Sequence, residues 1–402
     1  MPGLTHLVSL QQAAGVEAHF TEFVERARVT HPDWQQSWLN PSRTLHPFFA
    51  ARLRLALAYT ARAKYVGPMK LPVRPRALRV RHARHALARA RTDVLVIWNR
   101  SAKVLYALDA AGDARCVHWE HGAAWDPGHE HDRRDYFSRI RLAIANSRAS
   151  ARVLQLLWGY SGDVRICRNA LRPSLVPPAP VRKAYPAATI KLGVAARLYP
   201  VKGVAIALHA LQALRARGCD AELHVAGAGP ELQGLQALAR SLGIAERVTF
   251  HGAVRDMEQF YRGIDCLLHA PLTEAFGLVA LEAASLGCPV IAAAVDGLPE
   301  AVADGVSGYS VAPTLPLAEY ASLGGTHAGL PERVYDPSRD ALVATPLVDP
   351  AALADAVTRL FASAAAFEAM SASASAHVLR TSDFDRHVSD VMAVIEEARR
   401  GA

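Results

Sequence analysis

Four side chains in the second half of this chain have the types and spacing to hold an anionic, hydroxyl-rich ligand. They are Arg197, Lys202, Glu274 and Glu282. Arg197 and Lys202 fall in one loop between a predicted strand and a predicted helix. There an Arg fork and a Lys point charge can clamp a diphosphate; two solvated surface charges are the plainer alternative. Glu282 lies inside a segment that is apolar on both sides, with Leu278 and Leu281 on one and Val279, Ala283 and Leu286 on the other. Such a helix is buried, and a carboxylate in it costs several kcal/mol unless something polar meets it. Glu274 stands just before the helix start, where free N–H groups and the helix dipole favour an anion.

The elements around these residues alternate regularly. Thr189–Ala196 reads as a strand, with a helix from Val204 to Arg217 after it. Ala221–Val225 leads into the glycine turn Gly227-Ala228-Gly229 and a helix to Leu242. The turn lacks the third glycine of a dinucleotide fingerprint, since Leu232 stands there. Val248–Val254, Cys266–Ala270 and Pro289–Val295 are further strands. The segment Gly277–Leu286 forms the helix before the last of them, closed by Gly287 with Pro289 just beyond. Strand–helix alternation of this kind predicts a doubly wound parallel sheet.

The first half repeats the pattern. Leu4–Leu10 reads as a strand, and Gly15 opens a helix, which lets backbone approach a phosphate or sugar. Asp93–Trp98 is a strand followed by Asn99 and a helix through Ala107. Strands at Cys116-Val117, Leu142–Ser147 and Val164–Asn169 follow, with Ser147 as a helix N-cap. His121-Gly122, at a strand's carboxyl end, is placed for a substrate. The surrounding histidines and carboxylates match no familiar metal spacing, so no metal is expected. A proline-rich stretch from Arg172 to Pro180 reads as the link between domains.

The 402 residues suggest two domains: 1–183 and 184–380, with a terminal helix over 381–402 expected to cross back to the first. No N-terminal signal segment is read, and no apolar run approaches the roughly 18 residues of a membrane span. Five scattered cysteines suit a reducing compartment. Charge divides unevenly: residues 1–183 hold 29 Lys/Arg against 13 Asp/Glu, while the remainder hold 16 against 24. Between Arg52 and Arg91 stand twelve basic residues and no acidic one. A solvated basic face, nucleic acid and an anionic membrane surface are the possible meanings. No nucleic-acid motif accompanies the charge, so the membrane is the expected partner.

Taken together, Arg197 with Lys202, the Val225–Glu231 turn, the Glu274…Glu282 pair and Gly297-Leu298-Pro299-Glu300 resemble the retaining glycosyltransferases of family 4. Gly15, His121-Gly122 and Asn146-Ser147 match more weakly. The resemblance implies a GT-B fold, two Rossmann-like α/β domains facing across a cleft that closes over substrate. It implies that Arg197 and Lys202 hold the donor diphosphate, Glu282 the nucleotide ribose, and Glu274 the transferred sugar. Backbone N–H groups around Phe276, Gly277 and Leu278 would hold sugar and phosphate. Gly252 and Val254 would lie beside the base, Gly227 in the glycine turn of the donor site, Gly15 near the diphosphate, and His121 near sugar and acceptor. The implied donor is a UDP- or GDP-sugar, with no cofactor or metal, and the implied acceptor a cell-envelope glycan, such as lipopolysaccharide core or a polyprenyl-linked sugar. The alternatives are a sugar-nucleotide epimerase of similar architecture and a non-catalytic nucleotide-sugar-binding protein. One departure stands out: residues 313–346 intervene where the family passes quickly to an acidic turn, and they read as a long stretch without structure.

Overall fold

A parallel strand covered on both faces shows as an unbroken apolar run rather than an alternation. Val94–Trp98, with every residue buried, is the clearest case. The computed structural model describes residues 1–11, 15–327 and 329–401. These form two units. One comprises Met1–Ala124, Gly128–Arg168 and Phe384–Ala402; the other comprises Trp125–Pro127 and Asn169–Asp383.

The sheet of the first unit contains β1 (Gly3–Leu7), β2 (Gln35–Asn40), β3 (Tyr59–Arg62), β4 (Val94–Trp98), β5 (Arg115–Glu120), β6 (Leu142–Ala145) and β7 (Asp163–Ile166). Their order is β3-β2-β1-β4-β5-β6-β7, and every pairing is parallel. The winding therefore reverses between β1 and β4. Ser147 caps the helix Arg148–Trp158 by accepting the Ser150 N–H at 2.9 Å. The helix expected directly after Asn99 starts only at Leu105. Asn99 adopts φ 47°, and its side chain bonds a neighbouring loop instead of continuing a helix. The helix Phe384–Arg400 belongs to this unit, where its His387 meets His19 at 3.0 Å.

The second unit holds β8 (Ile190–Ala195), β9 (Ala221–Ala226), β10 (Val248–Gly252), β11 (Cys266–His269), β12 (Val290–Ala293) and β13 (Gly308–Val311). They run in the order β10-β9-β8-β11-β12-β13, again all parallel. This is a doubly wound sheet that reverses between β8 and β11. The helix Leu278–Ser285 is short and almost wholly buried.

Residues 313–346 are not the unstructured stretch expected. They fold into two small antiparallel ribbons, Leu315–Pro316 with Pro346–Leu347 and Arg333–Asp336 with Ala341–Ala344. Tyr320, Val334 and Tyr335 are buried and tie them down. These apolar anchors are too widely spaced to show a period in sequence, and the pairing lies across a turn with Asp340 at φ 50°.

Candidate functional site

In an open α/β sheet, the loops leaving two strands on either side of the reversal diverge and leave a crevice at their carboxyl ends. The loops after β8 and β11 occupy that position in the second unit. The first carries Arg197 and Lys202, the second Glu274. Leu272 N donates to Val201 O at 2.8 Å and holds the two loops together. Gly203, at φ 63°, is required where they cross: a Cβ there would stand 2.0 Å from Ala270 O.

The structure brings Lys202 and Glu274 into contact, Nζ to Oε2 at 2.7 Å, with both side chains about four-fifths covered. His269 Nε2 lies 3.5 Å from the same oxygen. Burial by itself would raise the Glu274 carboxyl, but the Lys202 charge and His269 outweigh it and hold the group well below the usual carboxylate range. Glu274 is thus a fixed anion and Lys202 a fixed cation at the mouth of the crevice. Arg197 is exposed, its guanidinium over the Tyr199 ring at 5.4 Å.

Glu282 has polar partners inside the unit. Arg172 Nη2 donates to its Oε1 at 2.5 Å, and the Tyr261 hydroxyl donates to Oε2 at 2.9 Å. A buried carboxylate with a cation and a hydroxyl has its desolvation offset. Arg172 comes from the proline-rich stretch, so the acid is held from a segment far from its own helix.

Sequence reasoning passed over Asp296, which organises the loop before this helix. It is 1% exposed and stands at φ 48°. Its Oδ2 accepts from Thr273 Oγ1 at 2.5 Å and Glu274 N at 3.1 Å; its Oδ1 accepts from Tyr335 N at 2.7 Å and Trp125 Nε1 at 3.0 Å. Burial pushes the carboxyl up to about 7 against the pull of these donors. Asp296 thereby fixes the backbone of Glu274 and ties it to the ribbon at 333–344. Only its position beside Gly297 could have drawn attention to it.

The glycines expected at the site pack against its loops. A Cβ on Gly227 would fall 1.7 Å from Ala196 O, so only glycine lets β9 end against the Arg197 loop. Gly227 N donates to Gly252 O at 2.8 Å, joining those two positions. Val254 is half-buried just beyond. Phe276 is buried, Gly277 takes φ 101° at the N-cap, and Leu278 begins the helix, whose first N–H groups have no intrahelical acceptor.

Two expected residues lie in the first unit. Gly15 is exposed and begins the helix Gly15–Thr30. His121 follows β5 with its ring stacked on Trp98 at 5.3 Å, and burial lowers its pKa to about 3, leaving a neutral imidazole. The loop is fixed by residues not singled out from sequence. Asn99 Oδ1 accepts from His121 N and Ala123 N, and Glu120 Oε1 from Gly122 N and Ala124 N. His118 spends its ring nitrogens on Glu120 Oε2 at 2.9 Å and the Tyr136 hydroxyl at 3.1 Å.

Residues 183–321 match the family described as glycosyl transferases group 1. Among curated proteins the chain is similar to a D-inositol 3-phosphate glycosyltransferase of Streptomyces griseus subsp. griseus, 39% identical over 151 residues. That alignment covers 35% of this chain and 32% of the relative, so about a third of the relative's length is matched. Among solved structures it is similar to Anabaena Alr3699/HepE in complex with UDP and glucose, with TM-score 0.72 and 17% identity over 98% of this chain and 100% of that one. It is also similar to WaaG, a glycosyltransferase involved in lipopolysaccharide biosynthesis, with TM-score 0.66 and 15% identity over 98% and 99% of the two chains. At those identities the likeness carries the fold. Over residues 183–321 the chain is thus similar to the glycosyl transferases of group 1, and its two parallel-sheet α/β units have the GT-B fold of these solved structures.

Proposed function

We propose that this chain is a retaining glycosyltransferase of family 4, moving a hexose from a nucleoside-diphosphate donor to a glycan or glycolipid of the cell envelope. The observation that carries this reading is the Lys202–Glu274 pair at the winding reversal of the second sheet, inside the segment that matches the group 1 family. Without donor the two charges neutralise each other. A diphosphate competes for Lys202 and recruits Arg197, and the sugar hydroxyls then take Glu274. Glu282 retains lone pairs for the ribose hydroxyls beside its bonds to Arg172 and Tyr261. As the glycosidic bond breaks, negative charge grows on the leaving phosphate, where fixed cations stabilise it most. Reaction on the same face lets that phosphate take the acceptor's proton, and no cofactor or metal is required. Positioning supplies the remainder.

An acceptor borne on a membrane, and residence on its cytoplasmic face, are supported by one patch of the first unit. Among the described residues, six of the thirteen exposed large apolar side chains fall between residues 48 and 78: Phe48, Leu55, Val66, Met69, Val73 and Leu78. Exposed Arg54, Lys70, Arg74, Arg76 and Arg81 are interleaved with them. Apolar side chains among cations suit an anionic bilayer surface. Arg79 takes no part, being 7% exposed with its guanidinium on Leu71 O. No helix among the described residues is long and apolar enough to cross a membrane.

Stereochemistry tests the proposal. Proton NMR of the first sugar released or transferred from a UDP- or GDP-sugar, with EDTA present, is expected to show the donor's anomeric configuration. An inverted product, or turnover restored only by a divalent metal, contradicts it.

A further inference from the structure

The carboxyl end of the first unit's sheet carries a cavity of its own. It measures about 1000 Å³ and is lined from the segments that follow β1 to β4: Gln11, Ser42, Lys64 and Arg100 each represent one of them. Among the described residues, seven lining side chains are Lys or Arg, and one, Asp132, is acidic. Arg76 is paired with Asp109, and Arg79 is anchored on Leu71 O. Lys64, Arg100 and Lys103 line it as well, as do Lys70, on the short strand Met69–Lys70, and Arg74. Burial and the charges of Arg100, Arg79, Lys70 and Lys103 together push the Lys64 ammonium down to about 8. Beside it Tyr106, 3% exposed, has a hydroxyl with no hydrogen-bond partner among the described residues. Lys64 Nζ sits over the Tyr106 ring at 5.3 Å.

Crowded cations and an unpartnered buried hydroxyl are costly features for a fold to keep. An oxyanion entering the cavity turns all of them favourable. It takes charge-assisted bonds from Lys64, Arg100 and Lys103 and the Tyr106 O–H donates to one of its oxygens. The position matches the rule that α/β sheets bind ligands beyond their strands' carboxyl ends, at the reversal between β1 and β4. A lone carboxylate would leave several of these cations unmatched, whereas a phosphomonoester brings close to two negative charges and three acceptor oxygens.

We propose that this cavity binds a phosphate group carried by the acceptor, so that the substrate glycosylated is a phosphorylated sugar or a phosphorylated glycolipid. The inference rests on the glycosyltransferase reading for the word acceptor, but the phosphate site stands on the cavity alone.

Calorimetric titration of the full chain with glucose 6-phosphate and with glucose tests it, beside co-sedimentation with phosphatidylcholine vesicles with and without phosphatidate. The variants are Lys64→Met with Arg100→Met, and Tyr106→Phe separately. Removing like charges from a crowded wall favours folding, so the double variant is expected to be at least as stable as the parent. Glucose 6-phosphate binding that falls about tenfold or more in the double variant and several-fold in Tyr106→Phe, with glucose not bound, supports the site, since charge-assisted hydrogen bonds are the strong ones. Binding confined to phosphatidate vesicles and lost in the same variants supports it too, with the phosphate then borne on lipid. Phosphate and vesicle binding unchanged in both variants, or absent from the parent, overturns it. A nucleotide-sugar thermal shift run on the same samples is expected to be untouched by these substitutions. Its absence from the parent would overturn the donor-site reading without bearing on the cavity.

Discussion

Glu282 carries two demands, a buried charge to be neutralised and a proposed ribose to be read. Arg172 and Tyr261 meet the first. Tyr261→Phe removes one neutralising bond to a buried carboxylate and is expected to cost about 1.5–3 kcal/mol in urea unfolding, with donor affinity little changed. Glu282→Ala is expected to weaken donor binding by about tenfold or more as well, because hydrogen bonds to a charged group contribute about 1.5–3 kcal/mol. Donor titration of the two variants separates the roles: equal affinity in Glu282→Ala and the parent would sink the ribose assignment. The sequence exposed Glu282 as an anomaly, an acid within an apolar helix, but could not name its partners. Arg172 lies 110 residues away and Tyr261 lies 21, and no local period links either to it.

Between residue and fold stand the loops, and Asp296 shows how they are set. Four donors from the Thr273–Glu274 loop, Tyr335 and Trp125 converge on its carboxylate. Asp296→Asn keeps the shape but turns an NH₂ toward at least one of these donors. It is expected to cost about 2–4 kcal/mol of unfolding free energy, since each buried donor left unsatisfied costs about 1–3. Hydrogen exchange is expected to rise at both Glu274 and Tyr335. Exchange that rises at Tyr335 alone would show that Asp296 supports the ribbon and not the site. The main strands and the helices between them were legible because apolar runs and caps announce them, as Val94–Trp98 and Ser147 do. Residues 313–346 were not, because ribbons pinned by Tyr320, Val334 and Tyr335 leave no periodic trace. The basic run was legible as charge, yet its division into Arg79 anchored inside, Lys64 in a cavity and Arg81 in solvent needed three-dimensional placement.

For the molecule as a whole, buried histidines set how stability depends on pH. Burial lowers His6 and His387 to about 4 and His121 to about 3, against about 6.5 in an unfolded chain. Between about pH 6.5 and 4 the unfolded chain therefore binds three protons that these folded positions refuse, so stability falls as pH drops through that window. Asp296, raised to about 7, acts oppositely: its contribution is lost as pH rises from about 4 to 7, and one proton against three leaves the net slope unchanged in sign. Glu120 and Glu274, both held below the usual range, add to the loss below pH 4. Urea unfolding at pH 7 and pH 5 is expected to show lower stability at pH 5, and the reverse order would contradict the neutral state assigned to the three rings. The second sheet's winding reversal, with Lys202 and Glu274 upon it, is the proposed nucleotide-sugar site. A ligand that binds only the native state raises the melting temperature. The most direct measurement is thus a thermal-shift panel of UDP-, GDP- and ADP-sugars on the parent chain and on Lys202→Ala. A nucleotide-sugar site there predicts a concentration-dependent rise with one nucleotide class in the parent that is lost or greatly reduced in Lys202→Ala. No rise with any of them, or an equal rise in both proteins, would contradict it.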